Sequence, residues 1–279
     1  MNAIRTVGKI ILGGIAFYIG IILGSMLATL LGIGMPPMPL GVNQSALMVY
    51  TLLGSFILAG VLGFFSLRLS GGFLTRWLIL AFLTWIVYGV NTYLEAAIFT
   101  TMTGPAIVIM YLVSSGLCAA AMSALFRPKE QSEGLLVRMK SFFAGRSVAE
   151  WGWRFLLAYL AFPVAYIVFG LMVQPFTYEF YVQQQMGLTA PGWDQILPVL
   201  ILRSFLFLLA VLPVLVAWKS SRKSLFITLG IALFLLVGGL SMLSAIWYTP
   251  VIRIAHSLEI LADSFVHAGA LVYLLVKKE

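Results

Sequence analysis

The chain has 279 residues, of which 62% are hydrophobic and only 9% are charged, and its formal net charge is +8. A soluble domain carries about 25% charged residues, so this composition excludes a water-soluble globular protein and indicates an integral membrane protein. The positive charge does not indicate a nucleic-acid partner, because most lysines and arginines stand between apolar runs, where they set membrane topology.

Long apolar runs predict about eight transmembrane helices. The first run is too long for a cleaved signal sequence, so we expect it to remain as the first helix. The connections are too short to fold alone, which predicts an all-α, polytopic helix bundle that forms one membrane domain over residues 1–279. Its first half covers about 1–126, a basic connection covers 127–150, and the second half covers about 151–279. The predicted spans are residues 9–32, 47–67, 75–98, 105–126, 151–174, 194–218, 224–248 and 251–276.

Basic residues predict the orientation of these helices. With about eight crossings, nearly all Lys and Arg residues fall on one side, whereas the opposite connections contain none. This positive-inside pattern predicts a multi-pass protein of the cell inner (plasma) membrane with both termini cytoplasmic. Only Arg203 and Arg253 lack a topological explanation. The basic set comprises Arg5, Lys9, Arg68, Arg76, Arg127, Lys129, Arg138, Lys140, Arg146, Arg154, Lys219, Arg222, Lys223, Lys277 and Lys278.

Two connections have distinctive side chains. In the central connection, residues 135–143 (LLVRMKSFF) predict a short basic amphipathic helix on the inner membrane surface, with a docking site for a partner as the alternative. The connection 175–193 is long, aromatic and contains three consecutive glutamines. It indicates either an interfacial aromatic belt or a lid over an outward-facing cavity.

A faint internal repeat relates the two halves. Residues 53–56 (LGSF) resemble residues 202–205 (LRSF), and each tetrapeptide lies in the second span of a four-span half. Pro105 and Pro250 likewise open the fourth span of each half. Because the halves would share one orientation, this pattern predicts a parallel 4+4 repeat. In that repeat, Arg203 stands where the first half has Gly54.

The eighth span carries five ionisable residues on one helical face. They follow each other at steps of three, three, four and four, and therefore fall within an arc of about 120°. At 1.5 Å per residue the stripe runs about 20 Å through a hydrocarbon core of about 30 Å. Ionisable groups at that depth are costly and usually mark a functional site. The residues are Arg253, His256, Glu259, Asp263 and His267.

A second polar stripe lies in the third span, where steps of four, three and four place Thr84, Tyr88, Asn91 and Glu95 on one face. Depth along the helices puts Glu95 beside Arg253 and His256, and puts Arg203 level with Glu259 and Asp263. The sequence therefore predicts a nearly charge-balanced, hydrated site between the third, sixth and eighth spans, with Tyr88 and Asn91 as supporting polar groups.

Transport of a small ion or polar solute, coupled to protons, is the first interpretation of this site. Glu259 and Asp263 would carry protons, Arg203 would be their counter-charge, and His256 and His267 would be the outer and inner relay points. The expected partners are the lipid bilayer and the small ion or polar solute, with partners in a membrane complex as a further possibility.

A divalent metal is the cofactor that the same residues would bind. His256, Glu259, Asp263 and His267 are ligand types that suit zinc, iron or manganese. The two histidines, however, are about 16 Å apart along the helix axis, so one ion cannot bind both. The sequence contains neither His-Glu-x-x-His nor Cys-x-x-Cys.

Two further interpretations stay open. A carboxylate with a histidine supports general acid–base chemistry, so the chain could be an intramembrane enzyme, with or without metal, that acts on a lipid or a membrane peptide. It could instead be a structural or cofactor-binding subunit of a membrane complex, in which the charges form a satisfied ion-pair network.

Overall fold

A computed structural model describes residues 3–37, 41–128 and 133–277. Within these ranges the secondary structure is helical throughout, and eight helices are long and apolar enough to cross a membrane. The predicted all-α bundle of about eight spans is thereby confirmed, while Lys129 and Lys278 of the basic set lie outside the described residues. The spans are Ala3–Leu30, Gln44–Arg68, Phe73–Phe99, Ala106–Leu125, Val148–Val182, Trp193–Ala217, Arg222–Ser244 and Pro250–Leu275.

The fifth span is longer than the sequence predicted. The sequence predicts an end near residue 174, but the helix continues through Pro163 and Pro175 to Val182, although proline cannot donate a backbone hydrogen bond. Proline is tolerated inside membrane helices when neighbouring groups satisfy the freed carbonyl. As a result, Tyr181 belongs to a helix rather than to a loop, and the connection to the sixth span is short.

Backbone contact between the first and fourth spans depends on glycine. A Cβ atom built on Gly20 would lie 2.3 Å from Cα of Ser114, and one built on Gly24 would lie 2.6 Å from Cα of Met110. Small residues let membrane helices approach closely, because association in lipid relies on packing rather than on the hydrophobic effect.

The two halves make matching contacts. Lys9, near the start of the first span, donates to the carbonyl of Leu125 over 2.6 Å, and Arg154 of the fifth span donates to the carbonyl of Leu274 over the same distance. These carbonyls end the fourth and eighth spans. Cations at helix C-termini complement exposed carbonyls and the helix dipole.

A short antiparallel backbone bridge joins the ends of the second and sixth spans, at Leu69 and Trp218. These residues are separated by the same number of positions as Gly54 and Arg203. If a two-fold axis parallel to the helices relates the two halves, equivalent residues close to that axis lie opposite each other, as Leu69 and Trp218 do. The bridge and the matched caps agree with the 4+4 repeat, which stays a prediction.

The third and seventh spans each contain a π-helical turn near their middle, at Trp85–Val90 and Leu235–Gly239. A third such turn, Leu271–Leu275, closes the eighth span. A π-helical turn has wider spacing than the α-helix, so it rotates the residues that follow and disturbs the hydrogen-bond ladder. Turns of this kind often occur at functional sites.

The predicted amphipathic helix of the central connection forms as Leu135–Phe143. Phe143 stacks near Trp151 with ring centroids 5.1 Å apart, and Arg138 donates to the carbonyls of Ala217 and Trp218. The helix is therefore docked on the end of the bundle that carries the termini and the described basic connections, called here the basic end. The opposite end is called the cavity end.

We expect Gly20→Ala to lower the free energy of unfolding by about 1–3 kcal/mol, because the added methyl group would overpack the contact with Ser114. Gly8→Ala in the same helix is the matched control, since a Cβ at Gly8 meets no atom within 4 Å. Thermal unfolding of both variants in detergent measures the difference. Equal stabilities would contradict the close approach of the first and fourth spans.

Candidate functional site

Arg203 is the most deeply buried charge of the site, with only 1% of its surface exposed. Its Nε atom donates to Oδ1 of Asn91 over 2.7 Å. Its Nη2 atom lies 3.0 Å from Oε1 of Glu95, as an ion pair without the alignment of a hydrogen bond. The rings of Phe162, Tyr166 and Phe207 surround the guanidinium at 5.2–5.8 Å from their centroids, within cation–π range.

Asn91 links this arginine to the seventh span. Its Oδ1 atom accepts a hydrogen bond from Arg203. Its Nδ2 atom, which can only donate, donates to the carbonyl of Val237 over 2.9 Å. Val237 lies in the π-helical turn Leu235–Gly239, and Asn91 directly follows the turn Trp85–Val90. The first π-helical turn thus positions the amide of Asn91, and the second supplies the carbonyl that accepts its hydrogen bond.

A second chain of polar contacts joins Tyr181, His256 and Glu259. The hydroxyl of Tyr181 lies 2.9 Å from Nε2 of His256, and Nδ1 of His256 lies 2.6 Å from Oε2 of Glu259. When His256 is neutral and Glu259 is ionised, the carboxylate can only accept, so Nδ1 carries the proton and Nε2 accepts from the tyrosine. The three groups then form a continuous donor–acceptor chain between the fifth and eighth spans.

A cavity of about 700 Å³ lies between these two polar groups and the cavity end. Residues from all four connections of that end line it, including Pro36, Met102, Leu188 and Trp247. Its lining contains Glu95, Tyr181, His256 and Glu259, while most of the remaining lining is apolar or aromatic. A large apolar pocket with a few convergent polar groups is the usual form of a small-molecule site.

Asp263 and His267 continue the polar stripe beyond the cavity. Asp263 is 2% exposed and His267 is 1% exposed, and neither lines the cavity. Oδ1 of Asp263 and Nε2 of His267 have no hydrogen-bond partner among the described residues. The ring of His267 packs against Phe162 and Phe207, which also contact Arg203.

Arg253 does not join the other charges. We expected it beside Glu95, but its Nε and Nη2 atoms donate to the carbonyls of Met242 and Leu243 at 2.9 and 3.0 Å, near the end of the seventh span. Glu95 pairs with Arg203 instead. Arg253 therefore caps a helix C-terminus, where exposed carbonyls and the helix dipole attract a cation.

Tyr88 also lies apart from Arg203. It stacks on Phe17 with ring centroids 6.3 Å apart and lies 4.4 Å from the ring centroid of Tyr111. The π-helical turn that contains Tyr88 breaks the single face predicted for the third span. Asn91 and Glu95, after the turn, face Arg203, whereas Tyr88 faces the first and fourth spans.

The candidate metal ligands do not come together. Among the described residues, no group of three or more His, Cys, Asp and Glu side chains is arranged to hold an ion. His256 and Glu259 are in contact, but Asp263 and His267 are not recorded in contact with each other or with that pair.

Sequence reasoning missed Tyr181, Tyr166 and the aromatic rings around Arg203. The sequence pattern assigns Tyr181 to the connection 175–193. A lid there implies a cavity beneath it but no contact with His256. Phe162 and Phe207 carry no polar signal, so only their contacts identify them.

No family model matches the chain, and neither curated proteins nor solved structures provide a match.

A double-mutant cycle tests the pairing of Arg203 with Glu95. We expect Arg203→Gln and Glu95→Gln to be coupled by about 1–3 kcal/mol in unfolding free energy, because the two charges are in direct contact. The matched cycle, Arg253→Gln with Glu95→Gln, should show a coupling below about 0.5 kcal/mol. Denaturation in detergent provides both values, and a larger coupling for Arg253 would restore the pairing expected from helix depth.

Proposed function

We propose that the protein is a proton-coupled transporter that carries a small solute through the cavity. One observation carries the proposal: a cavity of about 700 Å³ reaches from the cavity end to Glu95 and Glu259 inside the bundle. Such a cavity is unnecessary for helix packing, and it gives buried carboxylates access to a solute. Under the positive-inside prediction, the cavity end is the outer side of the membrane.

The chain Tyr181–His256–Glu259 provides a route for protons. A proton from the cavity can reach His256 or Glu259 directly, since both line it. Asp263 and His267 lie one and two helical turns from Glu259 toward the basic end. Oδ1 of Asp263 and Nε2 of His267 have no partner among the described residues and are suited to accept a proton through an intervening water. Buried leucines and valine of the turn Leu271–Leu275 then separate this stripe from the basic end.

Through the contact of Arg203 with Glu95, proton binding would change how the two halves of the bundle are arranged. Arg203 belongs to the second half, whereas Glu95 and Asn91 belong to the first, so these contacts hold the halves together. Protonation of Glu95 removes the charge that balances Arg203, and a buried uncompensated charge costs several kcal/mol. The resulting bias toward a different arrangement of the halves would couple proton movement to the side from which a solute reaches the cavity.

An intramembrane hydrolase is the second candidate. The observation that favours it is the contact of His256 with Glu259, which resembles the base-and-orienter pair of acid–base catalysis. Ser257 and Ser264, the serines nearest this pair in sequence, make no recorded hydrogen bond to His256. A water activated by His256 would therefore have to serve as the nucleophile.

In proteoliposomes with an imposed pH gradient, we expect Glu259→Gln to abolish proton movement, because glutamine cannot ionise. Glu179→Gln is the matched control: Glu179 lies in the fifth span, is exposed and does not line the cavity. A pH-sensitive dye inside the vesicles reports the flux. Normal proton movement in Glu259→Gln would contradict its role as the carrier.

Asp263→Asn tests the part of the route beyond the cavity. We expect this variant to stop net proton movement while its unfolding temperature stays close to that of the wild type, since asparagine keeps the shape of the side chain. The same dye assay and thermal unfolding in detergent measure the two properties. Proton movement at the wild-type rate would remove Asp263 from the pathway.

A further inference from the structure

The charge of the cavity lining indicates what kind of solute it accepts. Among the described residues, the lining contains two carboxylates, Glu95 and Glu259, and includes neither lysine nor arginine. Arg203 lies behind the wall, is almost fully buried and is already paired with Glu95. Among the described residues, His256 is the only ionic partner of Glu259, so the wall can accept one more positive charge.

One oxygen of Glu259 is free to bind a ligand. Oε2 is in contact with His256, but no donor among the described residues is within hydrogen-bond distance of Oε1. Glu259 is only 7% exposed, and it lines the cavity, so this oxygen faces the cavity rather than bulk solvent. A Cβ atom built on Gly170 would lie 3.3 Å from Oε1, so the carboxylate lies close against this glycine, which also lines the cavity.

Aromatic rings surround the same position. Tyr166, Tyr181 and Tyr248 line the cavity; Tyr166 and Tyr181 interact electrostatically with both Glu95 and Glu259, and Tyr248 interacts with Glu95. The faces of tyrosine rings attract cations, and such attraction is strongest where water is excluded. Carboxylate and aromatic faces together are the usual recognition chemistry for organic ammonium groups.

The cavity also reaches the lipid-facing surface. Leu171 and Tyr178 of the fifth span and Trp193 of the sixth line the cavity, and each is 54% exposed. Toward the basic end the same two spans are in contact through Tyr159, Ser204, Phe162 and Phe207. The two helices therefore separate toward the cavity end and leave a lateral opening.

We propose that the transported solute is a monovalent, lipophilic organic cation, which enters through this lateral opening and binds between Glu259 and the tyrosines. The proposal rests on the transport function proposed above and names its substrate class. Exchange of one such cation for one proton on Glu259 leaves the net charge of the site unchanged. An inorganic cation fits less well, because most of the wall is apolar and cannot replace a hydration shell.

The groups that face Glu259 and influence its charge come from four spans. His256 and Asp263 share its helix, Tyr166 and Tyr181 come from the fifth span, Glu95 from the third, and Arg203 from the sixth. Arg203 is the fixed cation of this set, and it is held by Glu95.

The test uses tetraphenylphosphonium and tetraphenylborate, which have nearly the same shape and opposite charge. We expect purified protein in detergent to bind the phosphonium at least tenfold more tightly than the borate, measured by calorimetry. Glu259→Gln should weaken phosphonium binding at least tenfold, while Glu179→Gln should leave it unchanged. Equal binding of the two ions, or no effect of Glu259→Gln, would overturn the proposal.

A variant with a bulky side chain beside Glu259 tests where the phosphonium binds. Gly170→Leu should prevent phosphonium binding because its side chain would fill the space beside Oε1 of Glu259. Gly152→Leu in the same helix is the matched control, since a Cβ there meets no atom within 4 Å. Unfolding temperatures show whether both variants fold, and normal binding by a folded Gly170→Leu would overturn the assigned position.

Flux measurements separate this proposal from the transport function. Charge-selective, Glu259-dependent binding together with phosphonium-driven proton release from vesicles supports both. Such binding without proton release supports the ligand class and overturns transport. Proton flux through Glu259 with no phosphonium binding overturns the ligand class and leaves transport standing.

Discussion

Burial of the Arg203 guanidinium is the constraint on which the polar interior depends. A buried cation needs a counter-charge and hydrogen-bond acceptors, or it destabilises the fold by several kcal/mol. Glu95 supplies the charge, Asn91 accepts one hydrogen bond, and three aromatic rings cover the remaining faces. The amide of Asn91 in turn binds the carbonyl of Val237. One charged side chain thereby fixes the relative positions of the third, fifth, sixth and seventh spans.

The same pairing determines the character of the cavity. Because Arg203 is held by Glu95 and Arg253 by two helix-end carbonyls, neither arginine balances Glu259 directly. Within the described part of the chain, only His256 is in ionic contact with that carboxylate. The site is therefore asymmetric: one carboxylate is paired with a buried arginine, and the other is in contact with a histidine.

Sequence periodicity predicted the eighth span well and the third span only in part. The stripe from Arg253 to His267 survives because Pro250–Ala270 is a regular α-helix. In the third span, the turn Trp85–Val90 changes the helical phase, so Tyr88 and Asn91 face different neighbours. Nothing in the sequence marks that turn. Depth along the helix likewise placed Arg253 near Glu95, but a long side chain can turn toward free carbonyls at the nearest helix end.

The lateral opening proposed between the fifth and sixth spans would affect measured affinities. A solute that enters from the bilayer reaches the site at its concentration in the adjacent leaflet, not at its concentration in water. Each added methylene group favours the membrane by about 0.8 kcal/mol, or roughly fourfold in partitioning. Apparent affinities expressed per aqueous concentration would then vary with lipid content and solute chain length, even where contacts inside the cavity are identical.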